Sequence, residues 1–470
     1  MAWSLFSSEQ SALNNKPILH RLTQRVHLNP SQTLAFSFIA LIAVGTGLLM
    51  LPLSTTNGQG ASWLDALFTM TSVVSTTGLM TVSVKQHYSQ FGHVVILCAA
   101  QAGGLGIMVL STAFAVLVGG HLPMRQQARL EEILDVTTAQ GLKQLVLAVV
   151  TVTFICESIG ALALFVLWSD QFATLQECIW WSLFHAVSAF CNIGVCLWDD
   201  SLQGWVNDPW VCGVFAVLIR IGSIGFFVIA DLIRPDTWQM IRPQSIWQRL
   251  HPQTKVVLIA MSLLDLLATA IFWLFENGGV LASLSPESQW QASVFQAVTM
   301  RSAGFSSVDL QHLSTPAVLF CCVWMFVGSA PGSAGGGIKV TTAAVALLAI
   351  RALLRGRKEP ELFGRRLSAT LVNRSLAVIF MGISFVMLAL ILLTATQPFA
   401  LPAILFETVS ACGTVGLSMG ITPQLDSFGR LLLVLLMFIG RIGPLTAALA
   451  VGQSNKQPTY QYPSAQIAVG

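Results

Sequence analysis

Twelve residues near the end of the chain, Phe406–Leu417, read FETVSACGTVGL. The same pattern occurs three more times, as FTMTSVVSTTGL from Phe68, FHAVSAFCNIGV from Phe184 and FQAVTMRSAGF from Phe295. A glycine follows the phenylalanine by ten residues in three copies and by nine in the copy that starts at Phe295. An internal repeat of this kind says more about a fold than any local motif does.

The composition indicates a membrane protein. Of the 470 residues, 54% are hydrophobic and only 10% are charged, which leaves too little polar surface to cover a water-soluble body of this size. The sequence therefore predicts eight membrane spans of about 20 residues or more. The apolar runs lie at residues 34–53, 94–117, 145–168, 210–233, 255–275, 317–350, 372–395 and 429–452.

Charge asymmetry gives the predicted orientation. Most of the 24 lysines and arginines lie in the N-terminal segment, in the loops after spans two, four and six, and in the tail. Because cytoplasmic segments are rich in these residues, both termini are predicted to be cytoplasmic in a multi-pass protein of the cell membrane. The outer connections are acidic and would attract cations, although acids also cross membranes more readily than bases. The net charge of +3 follows from the cytoplasmic loops and does not indicate nucleic acid as a partner.

Each copy of the repeat begins as a short helix and ends in a polar stretch with a glycine. Ser62 and Thr174 each precede an acid by three residues, as in a capping box, and Ser285 precedes a proline and an acid. Non-helical backbone at membrane depth needs protein or water to satisfy its polar groups, so we expect the four ends to surround one axis. These ends, here called the tips, are Thr76, Thr77 and Gly78; Asn192, Ile193 and Gly194; Ser302, Ala303 and Gly304; and Thr414, Val415 and Gly416.

Main-chain carbonyl groups at the tips have the chemistry of a cation site. A permeating cation exchanges its water shell for oxygen ligands, and a ring of carbonyls supplies them without a fixed charge in the pore. Glycine allows backbone angles closed to other residues, so that successive carbonyls can point inward. The C-terminal ends of the short helices, each with about half a negative charge, would favour a cation nearby. One such glycine would indicate a turn, whereas four in register indicate a site.

The helices that follow the tips also repeat. QAGGLG from Gln101, RIGSIG from Arg220, SAGGGI from Ser333 and RIGPLT from Arg441 align with a glycine third in each. The alignment predicts a weak point at one depth of every helix, although the first two glycines also fit close helix packing through small residues. The aligned glycines are Gly103, Gly222, Gly335 and Gly443.

The third of these helices contains GSAPGSAGGGIK, residues Gly328–Lys339. Three consecutive glycines each cost about 1 kcal/mol relative to alanine, and Pro331 removes a backbone donor. The stretch is therefore predicted to break the helix inside the membrane. A phosphate-binding loop is excluded, because Ile338 separates Gly337 from Lys339 and no strand precedes the motif.

These features resemble the Trk/Ktr/HKT superfamily of potassium transporters, and most of all its KtrB-type ion-translocating subunit, over residues 34–452. The resemblance implies an all-α polytopic membrane protein with eight transmembrane helices. Four M1-P-M2 repeats, each an outer helix, a re-entrant pore helix and an inner helix, would surround one central pore. The implied segments are a cytoplasmic N-terminal segment 1–33, repeats at 34–117, 145–233, 255–350 and 372–452, and a cytoplasmic tail 453–470.

The resemblance also implies roles for the repeated residues. The tips would form a selectivity filter for K⁺, because a glycine in all four copies is associated with potassium and a serine in the first with sodium. That first position is Gly78 here. An intramembrane gating loop and a positively charged barrier are implied below the filter; their residues are Gly328, Gly332, Ser333, Gly335, Gly336, Gly337, Lys339 and Arg441.

Partners follow from the same resemblance. It implies a homodimer in the lipid bilayer that is regulated by a cytosolic ring of KtrA-type (RCK) nucleotide-binding subunits. K⁺ is the implied transported ion, Na⁺ is an open candidate as activator, and no organic cofactor is expected in this chain. The basic loop Arg351–Arg374 fits a contact with the regulatory subunit, and equally a contact with anionic lipid.

Charged residues within apolar runs need partners. Arg220 is predicted to pair with an acid such as Glu157. Arg301 is predicted to anchor the third tip from behind, because a cation suits the C-terminal end of a helix. The sequence does not identify partners for Asp265 and Glu407.

Three alternatives stay open. A secondary transporter with alternating access would use broken helices at the midplane, but its halves usually have opposite topology, whereas these four repeats share one orientation. An intramembrane enzyme would use Glu157, His185 or Glu407. No H-E-x-x-H, G-x-S-x-G or nucleotide fingerprint supports it, so no enzymatic activity is expected. The third alternative keeps the fold and makes the protein sodium-selective or sodium-coupled.

Overall fold

A computed structural model of the chain describes residues 30–106, 139–233, 246–357 and 359–451. Regular structure in these ranges is helical, apart from one small hairpin of β1 (Glu361–Leu362) and β2 (Arg365–Arg366). In chain order the helices are α1 (Pro30–Leu49), α2 (Trp63–Val74), α3 (Val84–His87), α4 (Gln90–Leu105), α5 (Ala139–Trp168), α6 (Leu175–Phe190), α7 (Pro209–Ile224), α8 (Phe226–Ile233), α9 (Ile246–Arg249), α10 (Pro252–Glu276), α11 (Pro286–Thr299), α12 (Thr315–Phe326), α13 (Val340–Leu354), α14 (Ala369–Thr396), α15 (Leu401–Cys412), α16 (Ser427–Ile442) and α17 (Pro444–Val451). Short 3-10 segments lie at Pro52–Ser54, Gln203–Trp205, Leu310–His312 and Thr422–Gln424.

The main helices follow one order four times. A long apolar helix (α1, α5, α10 or α14) precedes a short helix (α2, α6, α11 or α15), and an inner helix (α4, α7, α12 or α16) comes next. Each tip lies between the short and the inner helix of its own copy. The order of a long, a short and a further helix therefore occurs four times in the described residues, and its identity as an M1-P-M2 repeat stays a prediction.

The long helices present most of their surface outwards. In the described ranges four helices, α1, α5, α10 and α14, are long and apolar enough to cross a bilayer, and six spans result if each of two bent pairs counts as one. Only 22–28% of the residues in the apolar windows of these four are buried. Their exposed faces carry side chains such as Leu266 and Phe380, 70% and 71% exposed, which is the surface of a membrane-embedded protein.

The count of eight spans and the repeat boundaries stay predictions. The predicted second span, 94–117, continues past residue 106, where the described range ends. The predicted sixth span, 317–350, is divided between α12 and α13.

Three of the short helices begin at the predicted caps. The side chains of Ser62, Thr174 and Ser285 each accept a hydrogen bond from the N–H three residues later, at 3.2–3.3 Å. These bonds satisfy amide groups that the first turn of a helix leaves free. The fourth short helix, α15, begins after Ala400 without a side-chain cap and has a proline in its first turn.

Two inner helices bend sharply at a glycine. The pair α7 and α8 bends by 94° at Gly225, and the pair α16 and α17 bends by 100° at Gly443. The φ angles of these glycines are 92° and 89°, and Gly106, which ends α4, has a φ of 81°. Because only glycine adopts such angles readily, these three residues mark the weak point of three inner helices.

Gly440, and not Gly443, corresponds to Gly103 and Gly222. A Cβ atom on any of these three would lie 1.9–2.3 Å from the main-chain oxygen that ends the short helix of the same copy. The predicted close packing of Gly103 and Gly222 is therefore confirmed. The predicted alignment of RIGPLT is wrong by three residues, since the matching segment is FIGRIG from Phe438. The last inner helix has a glycine at both Gly440 and Gly443, and only the packing shows that Gly440 contacts the short helix.

The predicted break in the third inner helix is confirmed. Helix α12 ends at Phe326 and α13 begins at Val340, and the backbone between them is non-helical. This segment, Gly328–Lys339, is called the glycine loop below.

The repeat phenylalanines are buried in the two large apolar clusters of the described residues. Phe68, Phe184, Phe295 and Phe406 are at most 2% exposed. One large apolar cluster centres on α1 to α7 and another on α10 to α16, but Phe68 belongs to the second cluster and Phe295 to the first. Phe68 and Phe295 therefore each pack into the apolar cluster of the other half of the chain, and these contacts hold the four tips together.

Candidate functional site

The four tips have the same backbone. Their first residues, Thr76, Asn192, Ser302 and Thr414, have φ angles of 49–60°, in the left-handed region that residues other than glycine rarely adopt. The glycine two positions later has a φ of 75–97° in every tip. Holding a non-glycine residue in this region costs about 1–3 kcal/mol, so the surrounding packing must impose the shape.

The tips meet in a closed ring. A Cβ atom added to each tip glycine would lie 1.9–2.7 Å from the main-chain oxygen of the middle residue of the next tip. These contacts run from Gly78 to Ile193, from Gly194 to Ala303, from Gly304 to Val415 and from Gly416 to Thr77. Because the fourth contact returns to the first tip, all four tips surround one axis. Glycine is required at these positions both for space and for the backbone angle.

A hydroxyl residue four positions after each repeat phenylalanine holds the tip of its own copy. Ser72 and Ser410 accept hydrogen bonds from the N–H of their tip glycine, at 2.9 and 3.1 Å. Ser188 and Thr299 donate to the carbonyl of the residue after the tip glycine, both at 2.7 Å. These four residues were not among the predicted site residues, although the sequence places a hydroxyl at this position in every copy.

The third copy is one residue shorter than the others, and the difference lies at the end of α11. In the other copies the N–H of the middle tip residue bonds to the carbonyl five residues earlier, as Thr77 does to Ser72 at 2.8 Å. In the third copy the N–H of Ala303 bonds to the carbonyl of Thr299, four residues earlier, at 3.1 Å. The shorter spacing therefore changes the end of the helix and leaves the shape of the tip intact.

A cavity of about 270 Å³ opens on one side of the ring. All four tip glycines line it, together with the acids Asp199, Asp200 and Asp309. Three carboxylates at one entrance raise the local concentration of cations. The acidic character predicted for the outer connections is thus placed beside the tips.

The glycine loop lies directly behind three of the tips. The hydroxyl of Thr76 donates to the carbonyl of Ala334, at 3.0 Å. The next two glycines of the loop are Gly335 and Gly336, and a Cβ atom on the first would lie 1.9 Å from the Oγ atom of Ser329 within the loop and 3.0 Å from the Cβ atom of Ser302. A Cβ on the second of them would lie 2.3 Å from the Oγ1 atom of Thr414.

Main-chain hydrogen bonds connect the glycine loop to the bend between α7 and α8. The N–H groups of Ala330 and Ala334 donate to carbonyls in the last turn of α7, both at 3.1 Å. The carbonyl of Gly332 accepts from the N–H of the first residue of α8, at 2.8 Å. Within the loop, the N–H of Gly328 and the hydroxyl of Ser333 donate to main-chain carbonyls at 2.8 and 2.6 Å. The loop is therefore ordered by its backbone.

Two cationic side chains reach the glycine loop. The guanidinium group of Arg441 donates to the carbonyl of Ala334, to the hydroxyl of Thr76 and to a carbonyl in the last turn of α4. The ammonium group of Lys339 donates to the carbonyl of Gly335, at 2.7 Å. Arg441 is far from the loop in sequence, and it joins the loop, the first tip and an inner helix.

Comparison with known proteins identifies the family. The family described as "TrkH: Cation transport protein" matches residues 6–460. This chain belongs to the TrkH cation transport family. The resemblance predicted from the repeats is therefore confirmed.

Several relatives resemble the TrkH-family chain over nearly its whole length. "Ktr system potassium uptake protein B" of Vibrio alginolyticus is 38% identical, over 92% of this chain and 93% of that protein. The protein of the same name from Bacillus subtilis is 36% identical, over 95% and 98% of the two chains. "Potassium/sodium uptake protein NtpJ" of Enterococcus hirae is 32% identical, over 95% and 98%.

The fold of this TrkH-family chain is similar to a solved structure. The crystal structure of the potassium transporter TrkH from Vibrio parahaemolyticus matches with a TM-score of 0.67 and 18% sequence identity, over 89% of this chain and 85% of that chain. At this identity the likeness concerns the fold alone.

Behind the third tip of the TrkH-family chain, one carboxylate bridges two arginines. Asp265 on α10 forms ion pairs with Arg301, at the end of α11, and with Arg220 on α7. Arg301 is only 1% exposed and directly precedes the tip. The acid that the sequence left without a partner therefore fixes the end of α11 and connects it to two other helices.

The predicted pairing of Arg220 with Glu157 is wrong. Glu157 on α5 accepts a hydrogen bond from the amide of Gln101, at 3.3 Å, and its other oxygen lies 3.7 Å from the thiol of Cys191. The two residues lie on helices whose facing surfaces the sequence does not reveal. Arg220 lies on a face of α7 that reaches α10, whereas Glu157 faces α4 and the end of α6.

Replacing Asp265 is expected to destabilise the protein. Asp265→Asn leaves two largely buried guanidinium groups without a counter-charge, and breaking such a pair costs about 3–5 kcal/mol. Thermal unfolding of the purified protein in detergent should therefore begin at a clearly lower temperature. Asp170→Asn, at an exposed position, is the control and should unfold like the parent. Equal unfolding temperatures for Asp265→Asn and the parent would contradict this role.

Proposed function

We propose that this chain takes up K⁺ across the cell membrane through a pore on the axis of the four tips, by a channel-like mechanism. The closed ring of contacts between tip glycines and neighbouring carbonyls carries the proposal, because four segments around one axis present main-chain oxygens to one ion. The names of the Vibrio and Bacillus relatives support K⁺ as that ion.

The tips act as the selectivity filter in this proposal. A dehydrated K⁺ ion would bind carbonyl oxygens such as those of Thr77, Ile193, Ala303 and Val415. None of the tip residues is charged, so the ion is held by dipoles and can leave again. The short helices end within three residues of the tips, and their C-terminal dipoles add to the attraction for a cation. Asp199, Asp200 and Asp309 would collect cations at the outer entrance.

The glycine loop acts as the gate and Arg441 as a positive barrier beside it. This role is supported by the contacts of the loop with three tips and by the hydrogen bonds of Arg441 to the loop and to the first tip. A loop rich in glycine and held by main-chain hydrogen bonds can change shape without disturbing a packed core. Conduction would require the loop and the guanidinium group to leave the axis together.

A separate cytosolic subunit would control the gate. We propose a homodimer in the bilayer, with both termini cytoplasmic, that binds KtrA-type (RCK) nucleotide-binding subunits. The term "Ktr system" in the names of two relatives supports a protein of several components. The hairpin β1–β2 exposes Arg365 and Arg366 on the basic loop, which suits an acidic partner or anionic lipid.

Sodium is the second candidate ion. The Enterococcus relative is named for uptake of both potassium and sodium, which favours Na⁺ as cargo or as activator. A glycine in all four tips, including Gly78, favours K⁺.

Growth at limiting K⁺ tests the proposed function. An uptake-deficient bacterium that expresses this chain with a Ktr-type partner is expected to grow at K⁺ concentrations that do not support the host alone. Uptake of Rb⁺ or Na⁺ by the same cells distinguishes the two cargoes. Absence of growth and of ion uptake, with the protein detected in the membrane, would contradict the proposal.

A further inference from the structure

The residue after each repeat phenylalanine is polar and fully buried. Thr69, His185, Gln296 and Glu407 are all 0% exposed, and each directly follows the repeat phenylalanine on its short helix. Burying a polar side chain is unfavourable unless it is hydrogen-bonded. Each of these four side chains is therefore expected to have a hydrogen-bond partner.

His185 holds the main chain that leaves the second tip. Its Nε2 atom accepts a hydrogen bond from the N–H of Leu197, at 3.2 Å. Its Nδ1 atom lies 2.8 Å from the carbonyl of Trp181, which can only accept, so the proton is on Nδ1 and the ring is neutral. The same Nε2 atom lies 3.2 Å from the thiol of Cys196.

Glu407 holds the corresponding main chain in the fourth copy. Its Oε1 atom accepts from the N–H of Met419, at 3.2 Å, and from the hydroxyl of Ser418. Its Oε2 atom accepts from the hydroxyl of Thr422, at 2.9 Å. Every polar atom of the carboxylate therefore bonds to the segment that runs outward from the tip.

The two arrangements match residue by residue. Leu197 and Met419 each lie three positions after the glycine of their tip, so the same N–H is held from the same helix position. The ring order places the second and fourth tips opposite each other.

The first and third copies differ from this arrangement. Thr69 bonds to the hydroxyl of Tyr88, at 3.0 Å, in the connection between α3 and α4. The amide of Gln296 has no protein hydrogen-bond partner among the described residues. Among the described residues, the outward segment is therefore held from this helix position in the second and fourth copies, which lie opposite each other in the ring.

We infer that His185 and Glu407 are positioning residues for ion selectivity, each fixing the segment that leaves its tip and thereby the spacing of the carbonyl ring. The inference rests on the proposed function. Neither side chain lines the cavity at the tips, so both act through the main chain. Hydrogen bonds to a carboxylate are stronger than those between neutral groups, so Glu407 is expected to hold its segment more firmly than His185 does.

Substitutions that remove or keep the hydrogen-bond acceptors of Glu407 and His185 test the inference. The full chain is expressed with its Ktr-type partner in uptake-deficient cells, and the ratio of K⁺ to Na⁺ uptake is measured. Glu407→Ala removes both acceptor oxygens, and the ratio should fall by at least about tenfold. Glu407→Gln keeps one acceptor for the N–H of Met419 and should restore most of the ratio. His185→Phe keeps a ring in the same aromatic surroundings without an acceptor and should also lower the ratio.

A buried carboxylate away from the ring provides the matched control. Glu276 is 0% exposed and accepts the N–H groups of Ser314 and Val280, at 2.8 and 3.1 Å. Glu276→Ala should change the yield of folded protein and leave the ion ratio as it is in the parent.

The outcomes separate this inference from the proposed function. If the parent prefers K⁺ and both Glu407→Ala and His185→Phe keep that preference, the positioning role is wrong and the proposed function stands. If Glu407→Ala does not reach the membrane, His185→Phe decides the matter. A parent that transports neither ion overturns both.

Discussion

Replacing Gly416 with serine is expected to remove most of the preference for K⁺ over Na⁺. A Cβ atom at this position would lie 1.9 Å from the carbonyl oxygen of Thr77, in the next tip of the ring. The φ angle of Gly416 is 90°, which a serine adopts only with strain. Both effects displace carbonyls that would bind the ion, and a loss of about 1.4 kcal/mol is already tenfold in affinity. We therefore expect the ratio of K⁺ to Na⁺ uptake to fall by at least about tenfold.

Gly213→Ser is the matched control for this change. Gly213 lies on α7, and a Cβ atom there would meet nothing within 4 Å. This variant should take up both ions like the parent. A Gly416→Ser variant that keeps the parental ratio would contradict the role of the ring in selectivity.

Deleting Gly335–Gly337 is expected to raise ion flux in the absence of the regulatory subunit. These residues pack against Ser302 and Thr414, and Gly337 donates its N–H to the carbonyl of Gly440, at 3.4 Å. A shorter loop cannot make these contacts, and the path behind the tips should open. We expect Rb⁺ uptake into liposomes that contain only this chain to increase by at least about tenfold, because the loss of two or three hydrogen bonds of about 1 kcal/mol each is enough for that change.

Specificity of the increased flux is checked in the same liposomes. Their permeability to chloride should stay at the level of liposomes with the parent protein, which shows that the membrane itself is intact. Arg441→Gln removes the cation from the same place without shortening the chain and should increase flux in the same direction. Unchanged Rb⁺ flux in both variants would remove the gating role of the loop.

The sequence was sufficient to predict that each short helix ends in a non-helical, glycine-bearing stretch, because this pattern is local and repeated. The spacing from phenylalanine to glycine is the same in three copies, and the caps at Ser62, Thr174 and Ser285 mark where short helices begin. The break at the glycine loop was also predictable, since consecutive glycines and a proline cannot form a stable helix.

Contacts between distant helices were not predictable in the same way. The last inner helix has glycines at both Gly440 and Gly443, and only packing shows that the first meets the short helix and the second makes the bend. Arg220 has several acids within reach along the sequence, and the choice of Asp265 depends on how α7 and α10 face each other.

Residues that support the tips were overlooked for a different reason. Serine and threonine are common in membrane helices, so Ser72 and Ser410 do not stand out until their hydrogen bonds to the tip glycines are seen. The left-handed backbone of Thr76 and Thr414 is equally hidden, because threonine has no preference for that conformation and the packing imposes it.

Locating a bound ion tests the central claim most directly. Crystals of the protein grown with Tl⁺ in place of K⁺ would show the ion by its anomalous scattering. We predict a peak on the axis of the ring, within coordination distance of the carbonyl oxygens of Thr77, Ile193, Ala303 and Val415. Anomalous peaks elsewhere in the membrane region, with none between these four oxygens, would contradict it.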